Sequence, residues 1–157
     1  EKEGKTPVYG EVDGAAVYRT GNVSNPLVSF SANGYRLPSE AEWEFAARGG
    51  TQTQGYIYSG SNVLDGVGWY LGNSGSVVHR VGDKQPNELG VFDMSGNVRE
   101  WTGSGFPGSA QAELTKVIRG GIFGNIAEYC EVAYRMANFS AAADITCGFR
   151  VALSAAP

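Results

Sequence analysis

Apolar and polar positions alternate over short stretches of this chain, and only one stretch carries a helical period. In "LPSEAEWEFAARGG", Ser39 and Glu42 have the S-x-x-E spacing of a capping box, in which each side chain bonds the other's backbone amide. Good helix formers follow, Trp43, Ala46 and Ala47 fall on one face at i, i+3, i+4, and Gly49 stands where a helix ends. The cap alone is worth about 1 kcal/mol. The remaining apolar runs are too short for helices and predict strands at 8–9, 17–18, 78–81, 98–102, 117–119, 130–134 and 149–153. "CEVAYR" and "FRVAL" alternate as strands with one buried face do.

Twenty-three glycines and frequent Ser and Asn predict tight turns between these strands, hence an irregular, loop-rich fold. Residues 103–111 predict a loop, 33–38 and 86–89 fixed turns, and neither a repeat nor a domain boundary is visible. At 157 residues with 42% hydrophobic content the chain suffices for one domain with a real core. Its net charge of −4 is spread along the chain with no basic run, which argues against a nucleic-acid partner. No apolar stretch is long enough to span a bilayer, and Glu1-Lys2-Glu3-Gly4 lacks a signal-peptide pattern. Two cysteines, Cys130 and Cys147, are too few for a disulfide framework and form no CxxC pair, so they are bridged, free or reactive.

The segments "GYRLPSEAEWEFAARGG", "PNELGVFDMSGNVREWT", "VIRGG" and "CGFRVAL", in this order, resemble the formylglycine-generating enzyme (sulfatase-modifying factor) family. The resemblance implies an α+β, C-type lectin fold with short antiparallel strands, covering residues 1–157 as one domain. It also implies a missing N-terminal strand, because members usually have more chain before the segment matching "KEGKTPVY", including a strand that pairs with the last one. The oxidising members use two cysteines five positions apart to bind copper. Here the second is Cys130, but the first falls on Asn125, which offers neither a nucleophile nor a thiolate for soft copper. The resemblance therefore implies a protein that is not an enzyme.

Within that family the chain is most similar to the variable proteins of diversity-generating retroelements. In those systems adenine mutagenesis turns asparagine codons into a bounded set that excludes Lys, Glu, Gln, Met and Trp. Residues 122–126 and 137–147 stay within the set, whereas Lys116, Glu128, Glu131 and Met136 fall outside both runs. Ile122 and Phe123 after the Gly-Gly pair, and a second run without proline, also depart from ordinary members. The resemblance implies a variable region at 117–153 and a ligand surface of Ile122, Phe123, Gly124, Asn125, Tyr129, Tyr134, Asn138, Phe139, Ala141, Asp144, Thr146 and Cys147. Aromatic residues there would anchor and amides would adapt, although Tyr129 and Tyr134 read equally well as core or wall residues. Arg119, Arg135 and Arg150 are expected to pin the frame through charge-assisted bonds.

"FDMSGNVREW" matches a calcium segment of the family's enzymes, with carboxylates from Asp93 and Glu100 and carbonyls from Gly96 and Val98. The alternative is that Asp93, Asn97 and Glu100 only hold a turn by hydrogen bonds to backbone amides. The family's other calcium site loses a side-chain oxygen at Val67-Gly68, and His79 reads as a surface loop residue. A sugar-binding reading is disfavoured, since Gln85-Pro86-Asn87 only approaches the Glu-Pro-Asn or Gln-Pro-Asp motif of calcium-dependent lectins. The resemblance implies no required cofactor, with a structural calcium as one of the two readings of that segment. The implied setting is the bacterial cell surface, with an unknown protein or cell-surface ligand as partner and a lipid anchor upstream left open.

Overall fold

The helix forms where the capping box places it. In the computed structural model, which describes residues 3–10, 26–29, 31–109 and 114–153, α1 spans Glu40–Ala47. Ser39 is its N-cap, Ser39 Oγ accepts from the Glu42 amide at 3.2 Å, and Glu42 Oε2 accepts from the Ser39 amide at 2.8 Å. Gly49 leaves the helix at φ +84°, a conformation that glycine adopts without strain. Trp43 and Ala47 are buried and pack with Met94 and Val132. A second cluster joins Leu64, Val67 and Cys130.

Among the described residues the strands are short and pair antiparallel with one exception. β1 (Tyr9–Gly10) pairs with β2 (Leu27–Val28), and β3 (Tyr35–Arg36) pairs with β8 (Ala152–Leu153). The main sheet has four strands in the order β6-β5-β4-β7, namely Arg135–Phe139, Thr115–Arg119, Arg99–Gly105 and Cys147–Phe149. β7 lies parallel to β4, which requires the chain after β6 to cross from one edge of the sheet to the other. That crossing is residues 140–146.

Several expectations shift against the observed elements. The strand expected over 98–102 runs on to Gly105, so the loop expected over 103–111 starts later. The 78–81 stretch is no strand: its pairing is supplied by one side chain, since Asn97 Oδ1 accepts from the His79 amide at 2.9 Å and Asn97 Nδ2 donates to the His79 carbonyl at 3.1 Å. The 130–134 stretch follows a 3₁₀ turn over Ala127–Cys130. Its carbonyls at Val132, Ala133 and Tyr134 accept from Arg119, which removes them from any ladder. The strand forms instead at Arg135–Phe139, whose last three residues belong to the second candidate run, 137–147. The 149–153 stretch is divided between β7 and β8 around Arg150. The strand expected at 17–18 lies outside the described residues.

Candidate functional site

The first half of the frame is scaffold. Every residue from Val117 to Gly121 is buried, although this run contains an arginine. Arg119, only 1% exposed, meets the carbonyls of Val132, Ala133 and Tyr134, the Glu44 carboxylate and, at 3.7 Å, Glu40, and it lies over the Trp43 ring. Burial pushes its pKa down while Glu44 and Glu40 hold it up. Gly121 has φ +74°, and a Cβ there would stand 2.5 Å from the Tyr129 carbonyl oxygen and 2.7 Å from Cys130 Sγ. Glycine is therefore required on both steric and conformational grounds. Arg135 likewise pairs with Glu40.

The second half is mixed. Arg150 grips the Glu100 carboxylate with two nitrogens, at 2.6 and 2.7 Å, and donates to the Phe92 carbonyl. Phe149 beside it is 69% exposed, so this end of the frame contributes to the surface as well.

Between the two halves, no residue of 122–126 or 137–147 is buried. Asn125 closes a turn: its Oδ1 accepts from the Ile122 amide at 3.1 Å, and its own amide donates to the Ile122 carbonyl at 2.9 Å. Phe123 donates its amide to the Asn97 carbonyl at 2.8 Å and accepts from Ser74 Oγ at 2.7 Å. Gly124 and Ile126 are exposed. Tyr129 and Tyr134 are partly exposed wall residues whose rings lie 4.9 Å apart at 45°.

The second run gathers around Arg99. Its Nη2 donates to Thr146 Oγ1 at 2.8 Å and Asp144 Oδ2 at 3.1 Å, its Nε reaches Cys147 Sγ at 3.2 Å, and its amide donates to the Thr146 carbonyl at 3.0 Å. Asn138 Nδ2 approaches the same sulfur at 3.8 Å. The Thr146 hydroxyl and amide, with Arg99 adding charge, hold the Asp144 carboxyl down to about 2. Phe139, Ala141 and Ile145 are exposed, Ile145 at 86%. Both runs share a tie to one short segment, the first through the Asn97 carbonyl and the second through the Arg99 amide and side chain, while the first is also held by Ser74 Oγ and the Leu71 amide. Sequence reasoning named Asn97 only as a turn-holding residue and missed Arg99, whose only signal was that it is polar and stands at the start of an apolar-polar strand.

The two cysteines are free. Cys130 is fully buried, and burial pushes its thiol up to about 12, so it is protonated and inert at neutral pH. The proposed calcium set does not fit a cation as arranged. Both oxygens of Glu100 carry donors, with Trp43 Nε1 at 2.7 Å added to the Arg150 fork. Asp93, at φ +60°, accepts from the Gly82 amide at 2.7 Å, which is the turn-holding alternative. Among the described residues no group of three or more His, Cys, Asp or Glu is placed to hold a metal. At the weaker calcium position, Val67 is buried in the core. His79 is more than a surface residue: its ring stacks on Trp69 at 3.7 Å, and Lys84 covers that tryptophan. Asn87 is buried and braces its turn, so it presents nothing to a sugar. No helix among the described residues is long and apolar enough to cross a membrane.

Among the described residues, one capped helix on a small mixed sheet, surrounded by long loops, defines a loop-rich α+β domain of the C-type lectin type. The chain belongs to the family of sulfatase-modifying factor enzyme 1-like domains, whose model matches residues 4–155. Treponema denticola variable protein 1 is similar in structure, with a TM-score of 0.81 and 32% identity over 97% of this chain and 64% of that one. The formylglycine-generating enzyme of Streptomyces coelicolor is 31% identical over 89% of this chain and 56% of its own length. A chaperone protein LppX of Paenibacillus barcinonensis is 46% identical over 47% of this chain. The chain spans only 32% of that relative's length.

Proposed function

We propose that this chain is a non-catalytic ligand-binding domain that presents variable residues on a C-type lectin scaffold, diversified by a retroelement. The observation that carries the reading is the contrast in burial: Val117 to Gly121 are all buried, whereas 122–126 and 137–147 contain no buried residue. Substitution on such a surface costs within about 0.5 kcal/mol, so side chains there can change while the fold persists. Asn125 and the inert Cys130 thiol oppose the oxidase alternative, because the pair that would bind copper is incomplete and its remaining member stays protonated. The similarity to a variable protein supports the same reading, and the reading includes a setting on a bacterial cell surface, facing a protein or other surface ligand.

The test is to sequence this gene's final stretch and the neighbouring DNA in several isolates. Changes confined to codons between Ile122 and Cys147, with a near-copy of the stretch beside a reverse-transcriptase gene, are expected. An invariant stretch with no template copy would sink the proposal in favour of a fixed domain.

A further inference from the structure

Four atoms of the second run converge on one guanidinium-bearing residue. Arg99 reaches Asp144, Thr146 Oγ1 and Cys147 Sγ with its side chain and the Thr146 carbonyl with its amide. From Cys147 onward the segment is tied to β4 by the β7 ladder, and Asn138 Nδ2 approaches the Cys147 sulfur; before Cys147 the side-chain ties of Asp144 and Thr146 run to Arg99 or stay within the loop. The Thr146 amide and hydroxyl turn back on Asp144, and the Cys147 amide on the Asp144 carbonyl, all local to the loop. At the other end, the Ser140 amide bonds the Leu114 carbonyl. Ile145, the most exposed large apolar side chain described, stands between Asp144 and Thr146, both of which Arg99 holds.

We infer that Arg99 is the positioning residue of the ligand-facing surface, its fork fixing Asp144, Thr146 and Cys147 so that Ile145 is presented in one place. The inference rests on the binding-surface reading for its meaning, but the contacts stand without it. A guanidinium is suited to the task because its donors point in fixed directions and bond at once to a carboxylate, a hydroxyl and a sulfur. A lysine in its place keeps the charge on a single nitrogen, which lacks the fixed fork.

The probe is iodoacetamide, because Cys147 is accessible in part whereas Cys130 is buried and does not compete in the folded chain. In Arg99→Gln the alkylation rate of Cys147 is expected to rise about fivefold or more, as local opening does when net hydrogen bonds are lost. Amide exchange at Thr146 and Cys147 should rise in step, with exchange at Val117 and Ile118 unchanged. Arg99→Lys should behave like Arg99→Gln. If Arg99→Lys restores the wild-type rate, charge alone suffices and the inference is overturned; it is overturned too if Arg99→Gln leaves rate and exchange within twofold. Asp144→Asn and Thr146→Val remove partners singly without altering β4. Should Arg99→Gln not fold, intermediate rates in these two support the inference and wild-type rates refute it. Alkylation reads the local geometry alone, whereas invariance among isolates would remove the binding role and leave the geometry standing.

Discussion

Arg119→Met tests the claim that the buried half of the frame is scaffold. Methionine keeps much of the volume and the packing on Trp43 but removes every donor. The three carbonyls of Val132, Ala133 and Tyr134 lose their partner, and Glu44 and Glu40 lose their cation. Breaking a buried pair from one side costs about 3–5 kcal/mol. Here the carboxylates stay partly wet, at 33% and 19% exposure, so solvent recovers part of their loss. The carbonyls recover less, at about 1–3 kcal/mol for each that stays unsatisfied. A net loss near 3 kcal/mol is expected. With a urea slope of about 2 kcal/mol/M, the unfolding midpoint falls by about 1.5 M at unchanged slope. Arg119→Lys should lie between the two, since one ammonium cannot bond all the carbonyls. A loss below about 1 kcal/mol in Arg119→Met would mean that the 130–134 segment is held by Val132 packing, and the account of Arg119 would be wrong.

Gly121→Ala places a Cβ against the Tyr129 carbonyl and Cys130 Sγ at a φ of +74°, and should cost about 2–4 kcal/mol in urea melts, against near-neutrality if the turn simply relaxes. Acid should destabilise the fold through two carboxyls. Arg36 first, then the Ser39 amide and hydroxyl, hold Glu42 down to about 2, and Asp144 is held there by Thr146 and Arg99. Because folding lowers both, their contribution is complete above the ordinary carboxylate range of about 4 and is lost as pH falls toward 2. Melts between pH 2 and 7 should slope in that window, less steeply in Arg36→Gln; an equal slope in both proteins contradicts the assignment of Glu42. Calcium or a chelator should leave the melting temperature within about 1 °C, whereas a rise of several degrees with calcium would show that the ion takes Glu100 from Arg150.

The features legible beforehand were those encoded locally. Ser39 and Glu42 define a helix start in four residues, and Asn125 and Cys130 can be compared without knowing the fold. Arg119, Arg135 and Arg150 were expected to meet carboxylates and carbonyls, and they do. What escaped were decisions made at a distance. Alternation in "CEVAYR" is indistinguishable from that of a strand until Arg119, well before it in sequence, takes the carbonyls. Asn97 stands in for a missing strand beside His79, and no pattern in either segment announces that pairing. Arg99 reads as an ordinary polar strand position, and its role depends on a parallel pairing that brings residues 144–147 beside it.

On the proposed variable-surface reading, the shared fastening at Asn97–Arg99 bears on how the two loops can change together. Two loops mounted on separate supports would multiply their alternatives freely. With one tie in common, an altered residue in the later loop tugs on the strand start that helps to set the earlier loop, so substitutions in the two should show epistasis. Selection would then act on pairs of loops inherited together, and recombining halves from two successful copies would often yield a weaker binder than either parent.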